Sequence, residues 1–226
     1  MLDNKDKEII KSRLTFWDRL KEEEHNLIWE NTIKVAYKKD DNLYNSLNDC
    51  RGIIIVKSGI LRTYIVSEEG KEVTLYLLEE GDICALSASC VLNNITFDVN
   101  VDAEKDSEIF LVRLNGIPKI YKNIYVENFL LNEGIARFSD VMWAMQQILF
   151  FKFDERLAIY LLDESSRNKN NLIISTHDQI AKHLGSAREV VSRMLKYFSK
   201  EGLVELSRGK IKIVNKDDLR QIIKNI

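Results

Sequence analysis

The longest helical pattern in the sequence lies between Leu131 and Leu149. Its apolar residues recur at alternating steps of four and three, which is the heptad repeat of a helix that packs along a narrow seam. At about 1.5 Å per residue, this seam is roughly 27 Å long. Such a helix can pack on its own domain or on a second chain, and the narrow width favours a homodimer. The seam residues are Leu131, Ile135, Phe138, Met142, Met145 and Leu149.

The stretch before this helix, from Ile33 to Leu114, has the pattern of an all-β domain. Short runs rich in isoleucine, valine and tyrosine alternate with turn signals that contain Gly59, Gly70 and Gly81. Glycine supplies the positive φ that tight turns between strands need. We therefore expect a β-roll or jelly roll. Its strands are predicted near residues 52–56, 61–66, 73–78 and 109–112.

These patterns divide the sequence into three predicted segments, and the fold class is α+β. Residues 1–117 hold the β-rich domain, which is preceded by helical spacing up to about Trp29. Residues 118–150 hold the long helix. It can begin at Pro118, because a proline loses no hydrogen bond at the first helical position. Residues 151–226 hold a smaller C-terminal domain.

The C-terminal segment differs from the rest of the chain in charge. Residues 171–226 contain 11 Lys or Arg and 6 Asp or Glu, whereas residues 1–170 contain 22 and 29. A basic segment beside an acidic body is typical of a nucleic-acid-binding module attached to a separate domain. A chance fluctuation in surface charge would give the same numbers, so the interpretation needs a motif to support it.

A helix-turn-helix between Thr176 and Phe198 provides that motif. Thr176 or the serine before it can cap a first helix that ends at Leu184. Gly185 then provides the turn that lets a second helix cross the first. We expect this second, recognition helix to span Ser186–Phe198, with Ser186 as its cap.

The outward face of the second helix carries the chemistry that reads base edges in the major groove. Arginine can donate two hydrogen bonds to guanine, and glutamate can accept one from cytosine. Contacts to phosphates fix the register of the protein on DNA without reading its sequence. Basic residues of a predicted β-hairpin, residues 202–214, form the wing of a winged helix-turn-helix. Base contacts are expected from Arg188, Glu189, Ser192 and Arg193, and phosphate contacts from Thr176, His177, Ser186, Lys196, Arg208 and Lys210.

The motif from Thr176 to Leu195 resembles the DNA-binding signature of the CRP/FNR family of bacterial transcription regulators, and the resemblance extends over almost the whole chain. It implies an N-terminal cyclic-nucleotide-binding-type β-roll as sensor, a central dimerisation helix and a C-terminal winged helix-turn-helix. It also implies a homodimer on double-stranded DNA, with two half-sites of a near-palindrome one DNA turn apart. The Arg188-Glu189 pair is similar to the CRP branch, which implies a TGTGA-type half-site. RNA polymerase is the implied partner if the protein activates transcription.

The resemblance also indicates which ligand the sensor lacks. It aligns Ala85 and Leu86 with the glycine and glutamate of nucleotide-binding members, and Phe97 and Asp98 with their arginine and serine. Asp98 would repel a phosphate, and no arginine lies between residues 62 and 113 to bind one. We therefore expect no cyclic AMP and no bound cofactor, and DNA affinity set by another signal in the roll.

A candidate effector pocket follows the turn at Gly81. An apolar small molecule could occupy it, or Cys84 and Cys90 could form a reversible disulfide that senses redox state. The alternative is that both cysteines are simply small buried apolar side chains. An iron–sulfur sensor would need cysteines before Cys50, and a haem sensor a histidine between residues 33 and 114, which the sequence lacks. The pocket residues are Cys84, Leu86, Ser87, Ser89, Cys90, Phe97 and Asp98.

Several other functions find no support in the sequence. It contains no catalytic triad, no phosphate-cradling glycine loop and no zinc-ligand spacing, so we expect neither an enzyme nor a metal site. It contains no run of about 18 apolar residues, so we expect no membrane span. Its 3 cysteines lack a metal-ligand pattern and suit the cytoplasm. The remaining alternative is an effector-binding module that acts on a protein partner through its winged domain.

Overall fold

The computed structural model describes residues 2–44, 52–84, 99–113, 120 and 122–223. The chain divides into two compact units. The first comprises Met1–Ile65 and Leu75–Met142, and the second comprises Val66–Thr74 and Trp143–Ile226. Within the described ranges, no helix has both the length and the hydropathy needed to cross a bilayer.

The first unit begins with helices, as the spacing up to Trp29 predicts. Helix α1 spans Asn4–Arg13, a 3₁₀ turn follows at Trp17–Arg19, and helix α2 spans Glu22–Glu30. Their buried apolar residues, including Ile10 and Ile28, form one core with strand residues of the roll. The N-terminal helices are therefore an integral part of this unit.

The strands of the described residues form two four-stranded sheets with antiparallel pairing between neighbours. Their orders are β1-β8-β3-β6 and β2-β7-β4-β5. The four strands predicted from sequence correspond to β3, β4, β5 and β8, while β1, β2, β6 and β7 were not predicted. The strands are β1 (Thr32–Tyr37), β2 (Asn42–Tyr44), β3 (Ile53–Ser58), β4 (Leu61–Val66), β5 (Glu72–Leu78), β6 (Ile83–Cys84), β7 (Asn100–Ala103) and β8 (Ser107–Val112).

Strand β3 explains how the two cores of this unit are arranged. Ile53 and Ile55 belong to the core formed with the N-terminal helices. Ile54 and Val56 belong to a second core inside the roll. Because successive side chains of a strand lie on opposite faces, a continuous apolar run is what a strand buried on both faces requires.

The predicted long helix is present as α3, which spans Ile124–Phe150. One side of it is buried through Val126, Phe129 and Leu130, which join the core with the N-terminal helices. The predicted start at Pro118 lies outside the described residues. The six seam residues are all exposed, at 57% for Leu131, 59% for Ile135, 64% for Phe138, 45% for Met142, 44% for Met145 and 66% for Leu149.

The second unit contains the predicted winged domain. Its three-stranded sheet has the order β10-β11-β9. Strand β9 extends the predicted two-stranded hairpin by one strand, because Leu172–Ile174 pairs with β11. Helices and strands share a single apolar core. The elements are α4 (Phe153–Arg167), β9 (Leu172–Ile174), α5 (His177–Leu184), α6 (Arg188–Lys200), β10 (Val204–Ser207), β11 (Lys210–Ile213) and α7 (Lys216–Ile222).

A buried carboxylate fixes α1 to the roll. Asp6 is fully buried, and its carboxylate oxygens lie 2.7 Å from Nζ of Lys34 and 2.9 Å from Nζ of Lys57. Lys57 also pairs with Glu108 at 3.1 Å. Burial alone would raise the pKa of Asp6, but hydrogen bonds from the two lysines lower it to about 2. The same contacts raise the pKa of Lys57.

We predict that Asp6→Asn destabilises the first unit by about 3 kcal/mol at pH 7, because it leaves the two lysine charges without their buried partner. The pKa of Asp6 is lowered from 3.8 to about 2 on folding, so its contribution is complete above pH 4 and is lost as the pH falls toward 2. Urea unfolding at several pH values, monitored by tryptophan fluorescence, measures the free energy of unfolding of wild type and variant. Asp18→Asn, at an exposed site, is the control. A difference between wild type and Asp6→Asn that stays constant down to pH 2 would contradict the prediction.

Candidate DNA-binding surface

The first helix of the predicted motif, α5, has the cap that the sequence indicates. Thr176 is its N-cap, and its Oγ1 accepts a hydrogen bond of 3.2 Å from the Gln179 backbone N–H. The Gln179 side-chain oxygen in turn accepts one of 2.8 Å from the Thr176 backbone N–H. The helix ends at Gly185, which has the left-handed φ of +57° that favours glycine. The predicted first helix and turn are therefore confirmed.

The second helix, α6, begins two residues later than predicted. Ala187 is its N-cap, its first residue is Arg188 and its last is Lys200. The predicted cap at Ser186 is wrong, because it is the Ala187 carbonyl that accepts the first hydrogen bonds of the helix, from the Val190 and Val191 backbone N–H groups. The Ser186 backbone N–H donates a hydrogen bond of 2.9 Å to the Ala181 carbonyl of α5. Ser186 therefore belongs to the turn that ends α5.

The two faces of α6 differ in chemistry as the periodicity predicts. Val191, Leu195 and Phe198 are fully buried in the C-terminal core. Of the residues expected to read bases, Ser192 is half-buried and the others are exposed. Lys196, expected at a phosphate, is also exposed. The exposed residues expected at bases are Arg188, Glu189 and Arg193.

The predicted wing is an antiparallel hairpin of β10 and β11. Gly209 has a φ of +68° in the turn between the strands. Arg208 and Lys210 are exposed beside it, as phosphate contacts would require. Lys212 of β11 instead pairs with Glu205 of β10 at 3.0 Å, which offsets its charge.

A surface groove brings the start of α5, the start of α6 and the wing together. Arg188 lies in this groove 3.6 Å from the Asp178 carboxylate, a pairing that the sequence did not predict. Both side chains are more than half exposed, so water screens the attraction and Arg188 can exchange this partner for another acceptor. The groove is lined by Ser175, Thr176, His177, Asp178, Arg188, Ser207, Gly209, Lys210 and Ile211.

This geometry agrees with comparisons to known proteins. A profile of the cyclic nucleotide-binding domain matches residues 34–123, and one of the Crp-like helix-turn-helix domain matches residues 155–222. A solved structure of a Crp/Fnr-family transcriptional regulator from Eubacterium rectale is 43% identical, with a TM-score of 0.90, and the match covers 95% of this chain and 100% of that one. The chain belongs to the CRP/FNR family.

Two more distant members of the CRP/FNR family match over most of their length. A transcriptional regulatory protein of Bordetella pertussis is 23% identical over 202 residues, which is 84% of this chain and 81% of that protein. The fumarate and nitrate reduction regulatory protein of Escherichia coli is 22% identical over 199 residues, which is 84% of this chain and 78% of that protein. Both relatives are transcription regulators by name, and the chain has the cyclic-nucleotide-binding-type roll, the long helix and the helix-turn-helix of the CRP/FNR family.

The candidate effector pocket is only partly described. Cys84 lies on β6 and is fully buried.

A group of polar side chains near Cys84, which the sequence did not indicate, joins the interior of the roll to α3. The Tyr76 and Thr63 side chains are both buried, and the Tyr76 hydroxyl lies beside Thr63 and Cys84. The Arg137 guanidinium lies 5.4 Å from the Tyr76 ring centre, and burial raises the pKa of Tyr76. The pocket residues outside the described ranges are Leu86, Ser87, Ser89, Cys90, Phe97 and Asp98.

We predict that Thr176→Ala destabilises the second unit by about 1 kcal/mol, because it removes the acceptor for the Gln179 backbone N–H. Thr176→Ser retains a hydroxyl in the same position and should stay close to wild type. Thermal unfolding of the full chain without DNA measures the difference. Equal melting temperatures for the alanine and serine variants would contradict the capping role.

Proposed function

We propose that this chain is a homodimeric, sequence-specific DNA-binding transcription regulator. The observation that carries the proposal is the surface of α6, which has one face buried in the core and leaves Arg188, Glu189 and Arg193 exposed. Arginine and glutamate on an exposed helix can read the donor and acceptor pattern of guanine and cytosine in the major groove. Phosphate contacts would come from the groove and the wing.

The dimer would form through the seam of α3. Six large apolar side chains that each expose 44% or more of their surface form one continuous stripe on this helix. A stripe of this kind is typical of an interface between chains, because water would otherwise cover it. A two-fold dimer has two recognition helices and would read a near-palindrome with half-sites about 34 Å apart, the length of one DNA turn.

DNA affinity would be set by a signal in the roll that is not a cyclic nucleotide. The sequence offers no arginine between residues 62 and 113 to bind a cyclic phosphate. The thiol-based alternative has less support, because full burial of Cys84 limits its access to oxidants.

RNA polymerase would be a further partner if the protein activates transcription. A protein-binding module without DNA contacts would leave the exposed arginines of α6 unexplained.

We predict that Arg188→Ala combined with Arg193→Ala weakens binding to a cognate duplex by at least about 30-fold, since each bidentate arginine contributes roughly 1–3 kcal/mol of base discrimination. The cognate duplex is recovered from random sequence by the wild-type protein, and a near-palindrome with TGTGA-type half-sites is expected. Fluorescence anisotropy at fixed salt measures the affinity.

Lys216→Ala with Arg220→Ala is the matched control, because it removes the same charge from exposed or half-exposed positions of α7. This control should lower specific and non-specific affinity by the same small factor. Failure to recover any preferred sequence, or equal losses in the two double variants, would contradict sequence-specific reading by α6.

We predict that Phe138→Glu converts the dimer to monomers, because it introduces a carboxylate into the middle of the apolar seam. Sedimentation equilibrium over a range of protein concentrations measures the oligomeric state. Ala136→Glu adds the same charge at an exposed position outside the seam of the same helix and should remain dimeric. A wild-type protein that is monomeric at all concentrations would contradict the proposed dimer.

A further inference from the structure

The segment Val66–Thr74 contains the last residue of β4, the turn after it and the first three residues of β5, and it belongs to the second unit. Two of its side chains contact the last turn of α5. The Glu72 carboxylate lies 3.0 Å from Nζ of Lys182. A hydrogen bond of 3.1 Å joins Thr74 Oγ1 to Nδ1 of His183. The Glu72 side chain is 17% exposed, so its ion pair is less screened by water than a pair on the open surface.

A third side chain of this segment packs against the turn of the helix-turn-helix. A Cβ atom added to Gly185 would lie 2.5 Å from Cγ2 of Val73. Glycine at this position therefore provides space for Val73 as well as the left-handed φ. Arg156 of α4 also holds the turn, because its guanidinium donates a hydrogen bond to the Leu184 carbonyl.

We propose that Glu72, Val73 and Thr74 are positioning residues of the DNA-binding motif: they hold the end of α5 and the Gly185 turn, and thereby set the angle at which α6 meets DNA. The inference rests on the proposed function, because it assumes that α6 reads bases. Sequence reasoning placed Val73 and Thr74 at the start of a strand of the roll and gave them no role at the DNA.

The turn itself makes this control possible. Only three residues separate α5 from α6, and the Ser186 backbone N–H is already bonded to α5 through the Ala181 carbonyl. A shift of the end of α5 is therefore passed on to the start of α6. The contacts of residues 72–74 involve the last turn of α5 and Gly185, and they leave Arg188 and Arg193 exposed for DNA.

The test is a charge swap in the full chain. Glu72→Lys alone and Lys182→Glu alone each put like charges at the contact, while the double variant restores an opposite pair and the net charge of wild type. The readout is the ratio of affinities for the selected cognate duplex and a scrambled duplex, because this ratio cancels the general effect of charge on DNA binding. Glu69→Lys is the matched control, since it makes the same change of charge at an exposed position in the turn that precedes β5.

We expect Glu72→Lys to lower this specificity ratio about fivefold, which is the effect of roughly 1 kcal/mol. Glu69→Lys should leave the ratio unchanged, and the charge swap should return it to within twofold of wild type. Equal ratios for Glu72→Lys and Glu69→Lys, or a swap that fails to restore the ratio, would overturn the inference.

A second measurement separates this inference from the proposed function. Amide hydrogen exchange of residues 177–185 without DNA should be faster in Glu72→Lys and return to the wild-type rate in the charge swap. If the wild-type protein selects no cognate sequence, the proposed function fails. The hydrogen-exchange rates then decide on their own whether Glu72 holds the end of α5. Unchanged exchange in Glu72→Lys overturns the inference in either case.

Discussion

The burial of one face of α6 in the C-terminal core determines what its other face can do. Val191, Leu195 and Phe198 anchor the helix, and with 3.6 residues per turn Glu189 and Arg193 must then lie on the solvent side. Arg188 is exposed because it is the first residue of the helix. The core thus fixes the rotation of the helix about its own axis. The cap at Thr176, the turn at Gly185 and the wing all act on a helix whose rotation is already set.

The sequence predicts those parts of the structure that depend on local patterns. Helices α3, α5 and α6 have strong apolar periodicity, and the strands β3, β4, β5 and β8 are rich in β-branched residues between glycine turns. The boundary of α6 was less predictable, because Ser186 has good capping chemistry in isolation. In the structure the Ala187 carbonyl accepts the first hydrogen bonds of α6, and the Ser186 backbone N–H is bonded to α5, so Ser186 lies in the turn.

Features that depend on residues far apart in sequence could not be predicted. Strand β6 has two residues and β7 has four, so neither has enough length for a pattern, and their pairing partners lie in distant segments. The Asp6 site needs Lys34 and Lys57, which no spacing rule connects to it. The contacts of Glu72 and Val73 with the helix-turn-helix also join residues far apart in sequence, and the strand pattern of residues 73–78 does not show which element packs against its first residues.

The proposed pairing of α3 with a second copy would make the amount of protein in the cell a variable of its activity. A chain whose apolar seam is covered only by a second copy gains stability by mass action, so its folded population rises with its own concentration. Dilution would remove the partner chain and half of the DNA contacts together. The occupancy of a regulatory site would therefore change more steeply with abundance than one-to-one binding allows, and expression level would act as a second input beside the signal in the roll.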